Sequence, residues 1–159
     1  MAGYSGTPLP RKLGIKPDHR VGIVGAPRNA GPTLAEVAAT GPVELKLSGG
    51  KAFDVIVIFC GSQRDLTDRF PKAHDRLDQS GGLWVAWPKK SSGIETDLNE
   101  NIVRNLGLAA GLVDNKVCAI DETWSGLRFV VRVVDRKKEK PQRLSGTEKK
   151  AVEKKPRVS

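Results

Sequence analysis

Phe53-Asp54-Val55-Ile56-Val57-Ile58-Phe59-Cys60 is the stretch on which the fold turns. Asp54 is its only charged residue, and Val55 to Ile58 are β-branched in an unbroken run. A strand without polar alternation is covered on both faces, which is the position of a central strand in a parallel sheet. Toward the N-terminus, Arg20-Val21-Gly22-Ile23-Val24-Gly25 reads as a shorter buried strand, closed by Gly25-Ala26-Pro27. Toward the C-terminus, Gly81-Gly82 precedes Leu83-Trp84-Val85-Ala86-Trp87, a further strand closed by Pro88.

Helical spacing fills the intervals. Ser62 with Asp65 three residues on caps a helix whose apolar face is Leu66, Phe70, Ala73 and Leu77. Pro71 is expected to kink or split it. Thr33-Leu34-Ala35-Glu36 is a capping-box pattern that opens a two-turn helix with Leu34, Val37 and Ala38 inward, stopped at Gly41-Pro42. Thr96 caps a helix carrying Leu98, Ile102, Val103 and Leu106, ended by Gly107. Thr7, as N-cap with Pro8 at the first helical position, opens a short helix with Leu9 and Leu13 on one face and Gly14 at its end.

Strands alternating with helices imply an α/β fold, a three-layer Rossmann-like sandwich with a mainly parallel sheet. The end of the chain departs from that pattern. Lys116–Asp121 and Leu127–Val133 flank Glu122-Thr123-Trp124-Ser125-Gly126, an antiparallel hairpin with a longer loop. Val43, Leu45 and Leu47 alternate with Glu44 and Lys46 as in a half-buried strand. A parallel crossover from there to the central strand needs about a dozen residues. The interval is shorter, so 43–47 is expected to be an antiparallel neighbour or a loose edge.

The 159 residues are 38% hydrophobic and 28% charged, enough for one domain with a modest core. No apolar run approaches the roughly 18 residues of a membrane span. The N-terminus has neither a basic start nor an apolar core segment, so the expected location is cytoplasmic. The net charge of +9 is unevenly placed. Residues 136–159 hold ten Lys/Arg and three Glu, whereas 1–135 are nearly balanced. The division expected is one α/β domain, 1–135, followed by a disordered basic tail, 136–159, that contacts polyanions weakly and with strong salt dependence.

Chemistry-bearing residues are few. Ligands of open α/β sheets bind beyond the carboxyl ends of the strands. Here those ends are Gly25 to Asn29, Cys60-Gly61-Ser62, Trp87-Pro88-Lys89-Lys90 and Glu122-Thr123-Trp124. Lys89 and Lys90 supply positive charge there, Trp124 a flat ring beside Ser125, and Ser62 the start of a helix whose N–H groups favour an anion. These five are the candidate ligand-binding residues, for an anionic small molecule or a protein partner. Each also has a plainer reading: tryptophans fill cores, and lysines after strands are solvated. Cys60 beside a helix start has the placement of an activated thiol, yet free cysteines are most often small buried hydrophobes. No metal-ligand spacing occurs, and no catalytic residues or cofactor are assigned.

Several segments carry a family resemblance: Tyr4-Ser5-Gly6-Thr7-Pro8-Leu9, Lys12-Leu13-Gly14-Ile15-Lys16, Leu83-Trp84-Val85-Ala86-Trp87-Pro88-Lys89-Lys90, Leu112-Val113-Asp114-Asn115-Lys116-Val117-Cys118 and Asp121-Glu122-Thr123-Trp124-Ser125-Gly126-Leu127-Arg128-Phe129. Over residues 3 to 135 the chain resembles the bacterial "domain of unknown function 3052" family, which implies kinship without an activity. The order of elements is also similar to the second half of a class I methyltransferase sheet, which implies a fold and not a function. The loop Gly25-Ala26-Pro27-Arg28-Asn29-Ala30-Gly31 lacks the closely spaced glycines of an S-adenosylmethionine loop, and Leu47-Ser48-Gly49-Gly50 lacks the ribose-binding acid. Three functions therefore stand side by side: a non-catalytic small-ligand or protein-binding module, a diverged S-adenosylmethionine-dependent methyltransferase-like enzyme, and nucleic-acid association through the tail.

Overall fold

The computed structural model describes residues 7–136. The expected tail lies outside these residues from 137 onward. Six strands form one sheet: β1 (Val21–Val24), β2 (Val43–Glu44), β3 (Phe53–Phe59), β4 (Leu77–Pro88), β5 (Leu112–Ala119) and β6 (Trp124–Val131). Their spatial order is β2-β1-β3-β4-β6-β5. The first four run parallel, and β6 is antiparallel to both β4 and β5. The Rossmann-like sandwich with a terminal hairpin is the observed architecture.

Among the described residues four α-helices cover the sheet: α1 (Leu9–Leu13), α2 (Gly31–Ala38), α3 (Gln63–Arg76) and α4 (Glu100–Ala109). Alternation along the strands makes two cores. Val21, Ile23, Val55, Val57, Phe59, Trp84 and Ala86 pack with Leu9, Leu13 and Val37 of α1 and α2. Ile56, Ile58, Leu83, Val85 and Trp87 pack with Leu66, Phe70 and Ala73 of α3 and Val103 of α4. Trp84 and Trp87 thus lie on opposite faces, and the Trp84 indole N–H donates to the Leu13 carbonyl at 3.1 Å. An irregularity between Phe53 and Val55 puts Phe53 in the α3 core and Val55 in the other.

Of the two readings of 43–47, the loose edge is what the structure shows and the antiparallel neighbour is not. Only Val43 and Glu44 pair, and they pair parallel to β1. Leu45 is 63% exposed. The chain then crosses β1 to reach β3 through residues 45–52 without a helix. It can do so because it runs close to the sheet: a Cβ on Gly22 would lie 2.7 Å from Leu47 Cδ2. Two arginines hold this crossover. Arg76 Nη2 donates to the carbonyls of Ser48 (2.8 Å) and Lys51 (2.9 Å). Arg20 donates to the Gly49 and Lys51 carbonyls, pairs with Glu44, and lies 4.0 Å from the Phe53 ring centroid.

Several helix boundaries differ from the local reading because the capping groups find distant partners. Thr33 and Glu36 do not cap α2, which starts at Gly31 without a side-chain cap. The Thr33 hydroxyl donates to Asp121 Oδ2 at 2.8 Å, and Glu36 Oε2 accepts from the Leu9 N–H at 2.9 Å. Glu36 thereby caps α1, whose N-cap position is Pro8 and not Thr7. Val37 is buried as expected, but Ala38 is exposed. Asn99, not Thr96, caps α4, and Gly107 lies inside that helix under Phe129. Ser62 caps α3 as expected. This helix runs unbroken through Pro71. Pro71 and Thr67, whose carbonyl loses its helical donor, are both exposed, so the missing bond is not a buried one. Both hairpin strands begin earlier than expected, which makes Trp124 the first residue of β6.

Candidate functional site

The carboxyl ends of β1, β3 and β4 share one edge. From β1 the chain goes through α2 to β2 on one side, and from β3 through α3 to β4 on the other. The crevice between β1 and β3 is therefore the topological switch point, where sheets of this kind bind ligands. Here a side chain of the protein occupies it. The Arg69 guanidinium of α3 donates to the Phe59 carbonyl at the end of β3 and lies 3.7 Å from Asp65. It also packs against Gly25 at the end of β1, where a Cβ would meet it at 2.5 Å. The first turn of the following helix contains Pro32, which has no N–H to offer an anion.

The five sequence candidates lie on this edge in different settings. Pro88 pairs with Trp124 and Trp87 with Ser125, so the Lys89 strand end and the start of β6 are direct neighbours. The Lys89 N–H donates to the Thr123 carbonyl at 2.8 Å. Lys90 is exposed and opens a short 3₁₀ turn. Trp124 does not present a flat ring: it is 7% exposed and meets the Phe59 ring edge-on at 5.2 Å and 84°. Ser125 is half-buried.

Ser62 ends β3's loop, and its Oγ accepts from the Asp65 N–H at 3.1 Å. The amides at this helix start face carboxylates of the chain itself. Asp65 Oδ2 accepts from the Gly61 N–H at 3.0 Å, and Asp97 Oδ1 from the Gln63 N–H at 2.8 Å. The Thr96 hydroxyl donates to the Gly61 carbonyl at 2.7 Å, fastening the loop after β4 over the start of α3.

Two clefts flank the edge. One, of about 500 Å³, is lined by Trp87, Lys90 and the segment Gly93–Asn99, in which Glu95 and Asp97 balance the lysine. The other, of about 470 Å³, lies between α3 and the crossover. Its walls carry Lys46, Arg69, Lys72 and Arg76 against Asp68 and Asp75, over an apolar floor of Val24, Leu45 and Leu47. Arg69, Lys72 and Arg76 form one stripe at helical spacing, a signal legible in the sequence. That the stripe faces β1 depends on the crossover, which local pattern does not show.

The thiol is sealed. Cys60 is fully buried, and burial pushes its pKa up to about 12 despite nearby Arg69. Cys118 is also raised, again by burial first. Among the described residues no group of three or more His, Cys, Asp or Glu side chains could hold a metal ion. No helix among them is long and apolar enough to cross a membrane.

The family model described as "Protein of unknown function (DUF3052)" matches residues 33–133. The chain belongs to the DUF3052 family. A search of curated protein sequences finds no match. Among solved structures, this DUF3052 chain is similar to a ribosomal protein L11 methylase from Lactobacillus delbrueckii subsp. bulgaricus. The TM-score is 0.54 at 12% identity, over 78% of this chain and 74% of that one. It is also similar to mitomycin 7-O-methyltransferase, with a TM-score of 0.51 at 12% identity, over 72% of this chain and 49% of that one. At these identities the likeness shows the fold alone.

Proposed function

We propose that this DUF3052 chain is a non-catalytic binding module. It keeps a methyltransferase-like sheet as scaffold and holds an anionic small molecule with an apolar body beside the sheet's carboxyl edge. The observation that carries this reading is Arg69, whose guanidinium fills the switch-point crevice and is hydrogen-bonded to Phe59. A cofactor placed there would have to displace it. The cationic cleft next to it has charge for an acidic group and apolar floor for the rest of a ligand. Lys89 and Lys90 are the second place on the same edge where such a ligand would find charge.

The test is a thermal-shift panel on the full chain: inorganic phosphate, adenine and guanine nucleotides, nicotinamide dinucleotides, acyl-coenzyme A and S-adenosylmethionine. A ligand at about 100 times its Kd adds roughly 2.7 kcal/mol, a rise on the order of 5 °C or more for this size. The expected hit is lost in the double variant Lys46→Ala/Lys72→Ala. Loss in Lys89→Ala/Lys90→Ala instead moves the site to the loop after β4. A flat panel sinks the small-ligand reading and turns attention to a protein partner. Micromolar S-adenosylmethionine binding by calorimetry replaces it with the enzyme reading.

A further inference from the structure

Arg128 stands in the middle of β6, opposite Trp84 of β4 and Lys116 of β5. Its guanidinium leans along β4 and lies flat over Gly82, where any Cβ would run into Nε and Cζ. The glycine therefore makes room for the arginine. Nε is sealed from solvent and has no hydrogen-bond partner. Burial first, and then the charge of Arg136, push this guanidinium below its ordinary pKa, with no acid acting in the other direction. A half-buried cation with an orphaned donor is a cost the fold carries.

The neighbouring β5–β6 ladder positions on this face carry no acid. The neighbouring ladder positions on this face are Val113 with Val130, Lys116 with Arg128, and Cys118 with Gly126. The acid of β5, Asp114, is taken up on the other face by Arg104 of α4 at 3.0 Å. After β6 come Arg132, which pairs with Asp135 at 3.0 Å, and Arg136, and residues 137–159 hold nine Lys/Arg and three Glu.

A planar guanidinium accepts a carboxylate or a phosphate equally well. A lone carboxylate would account for Arg128 only. A chain of phosphates accounts for Arg128, Lys116 and Arg136 together. Trp84, Trp124 and Phe129 are buried, so no ring beside Arg128 or on the hairpin is offered for base stacking. Contact is then with the phosphate backbone and independent of sequence.

We propose that the Arg128 face of the β5–β6 hairpin is a nucleic-acid phosphate-contact surface, with Arg128 as its anchoring residue. This surface is separate from the carboxyl-edge cleft, and either can fail without the other.

The experiment uses the full chain and a fluorescein-labelled DNA duplex of about 20 base pairs, read by anisotropy from about 50 to 200 mM salt. Arg128→Gln should weaken binding about tenfold and reduce the slope of log K against log salt by about 0.9, the signature of one lost phosphate contact. Lys116→Gln should give a smaller loss. Arg128→Gln should leave Tm unchanged or raise it, because the orphaned donor is gone. A structural arginine would behave oppositely, losing Tm and keeping affinity, and that result overturns the proposal. So does unchanged affinity in both variants, which assigns binding to residues 137–159 alone, or absence of binding by the parent chain. Displacement of the duplex by a heptaglutamate peptide at matched charge overturns it in favour of an acidic protein partner. If Arg128→Gln fails to fold, exposed Lys116 keeps the question decidable, since full affinity in Lys116→Gln counts against the surface.

Discussion

Trp124→Ala separates a tryptophan that builds the core from one that waits for a ligand. The ring is 7% exposed, sits in the α1–α2 core, and meets Phe59 edge-on at 5.2 Å. Burying a tryptophan removes about 150–250 Å² from water. At about 25 cal/mol per Å² that is roughly 4–6 kcal/mol as an upper bound. Truncations of buried Phe and Trp to Ala cost about 3–5 kcal/mol. The edge contact with Phe59 contributes on the order of 1 kcal/mol of this. The expected loss is therefore about 4 kcal/mol, a fall in Tm on the order of 15 °C. Trp124→Phe, which keeps a ring against Phe59, should lose less than half as much. The assay is urea unfolding followed by circular dichroism, with m unchanged and the midpoint lowered. Lys89→Ala/Lys90→Ala is the comparison, expected within about 0.5 kcal/mol of the parent, because both are surface residues. If Trp124→Ala lies within about 1 kcal/mol of the parent, the packing account of this residue is refuted and its ring is free for a ligand.

Two more outcomes follow from the packing. The Cys60 thiol titrates near about 8.5 when unfolded, whereas burial pushes it to about 12 in the fold. Between those values the unfolded chain binds fewer protons, so stability falls as pH rises, by up to about 1.4 kcal/mol per unit. Cys60→Ala should flatten that decline between about pH 9 and 10.5 in paired urea melts; equal slopes in parent and variant would falsify the sealed-thiol account. Gly22→Ala should cost about 1–3 kcal/mol, since its Cβ collides with Leu47 of the crossover; a variant as stable as the parent would show that the 45–52 segment does not press on β1.

The parts of the fold that were legible were those decided by burial alone. β1, Val55–Phe59 of β3 and Leu83–Trp87 of β4 are covered on both faces, and each leaves a short apolar run, whereas the polar first half of β4, from Leu77 to Ser80, leaves none. The misread helix starts share one cause. Thr33, Glu36 and Thr96 have capping chemistry at capping spacing, but Asp121, the Leu9 amide and the Gly61 carbonyl claim them from far along the chain. Spacing cannot register such partners. The same holds for 43–47, where two distant arginines hold a crossover that pattern reads as strand. On the candidate edge, the adjacency of Lys89, Trp124 and Ser125 was legible once the hairpin was recognised. Arg69 in the crevice was not, because its position requires β1 and β3 to be neighbours first.

The partners of the N-terminal helices have a consequence for synthesis. Lys12 Nζ donates to the Ala119 carbonyl, and Thr33 is fixed by Asp121. Asp121 also shapes the turn before β6 by accepting from the amides of Thr123 and Trp124. Helices α1 and α2 therefore meet these anchors only after the β5–β6 hairpin has emerged from the ribosome. A nascent chain halted before residue 120 leaves the Val55, Val57 and Trp84 face without its full cover, an aggregation-prone surface. With contacts this distant in sequence, closure of this face waits for the β5–β6 hairpin, and folding is slower than in a chain of local contacts.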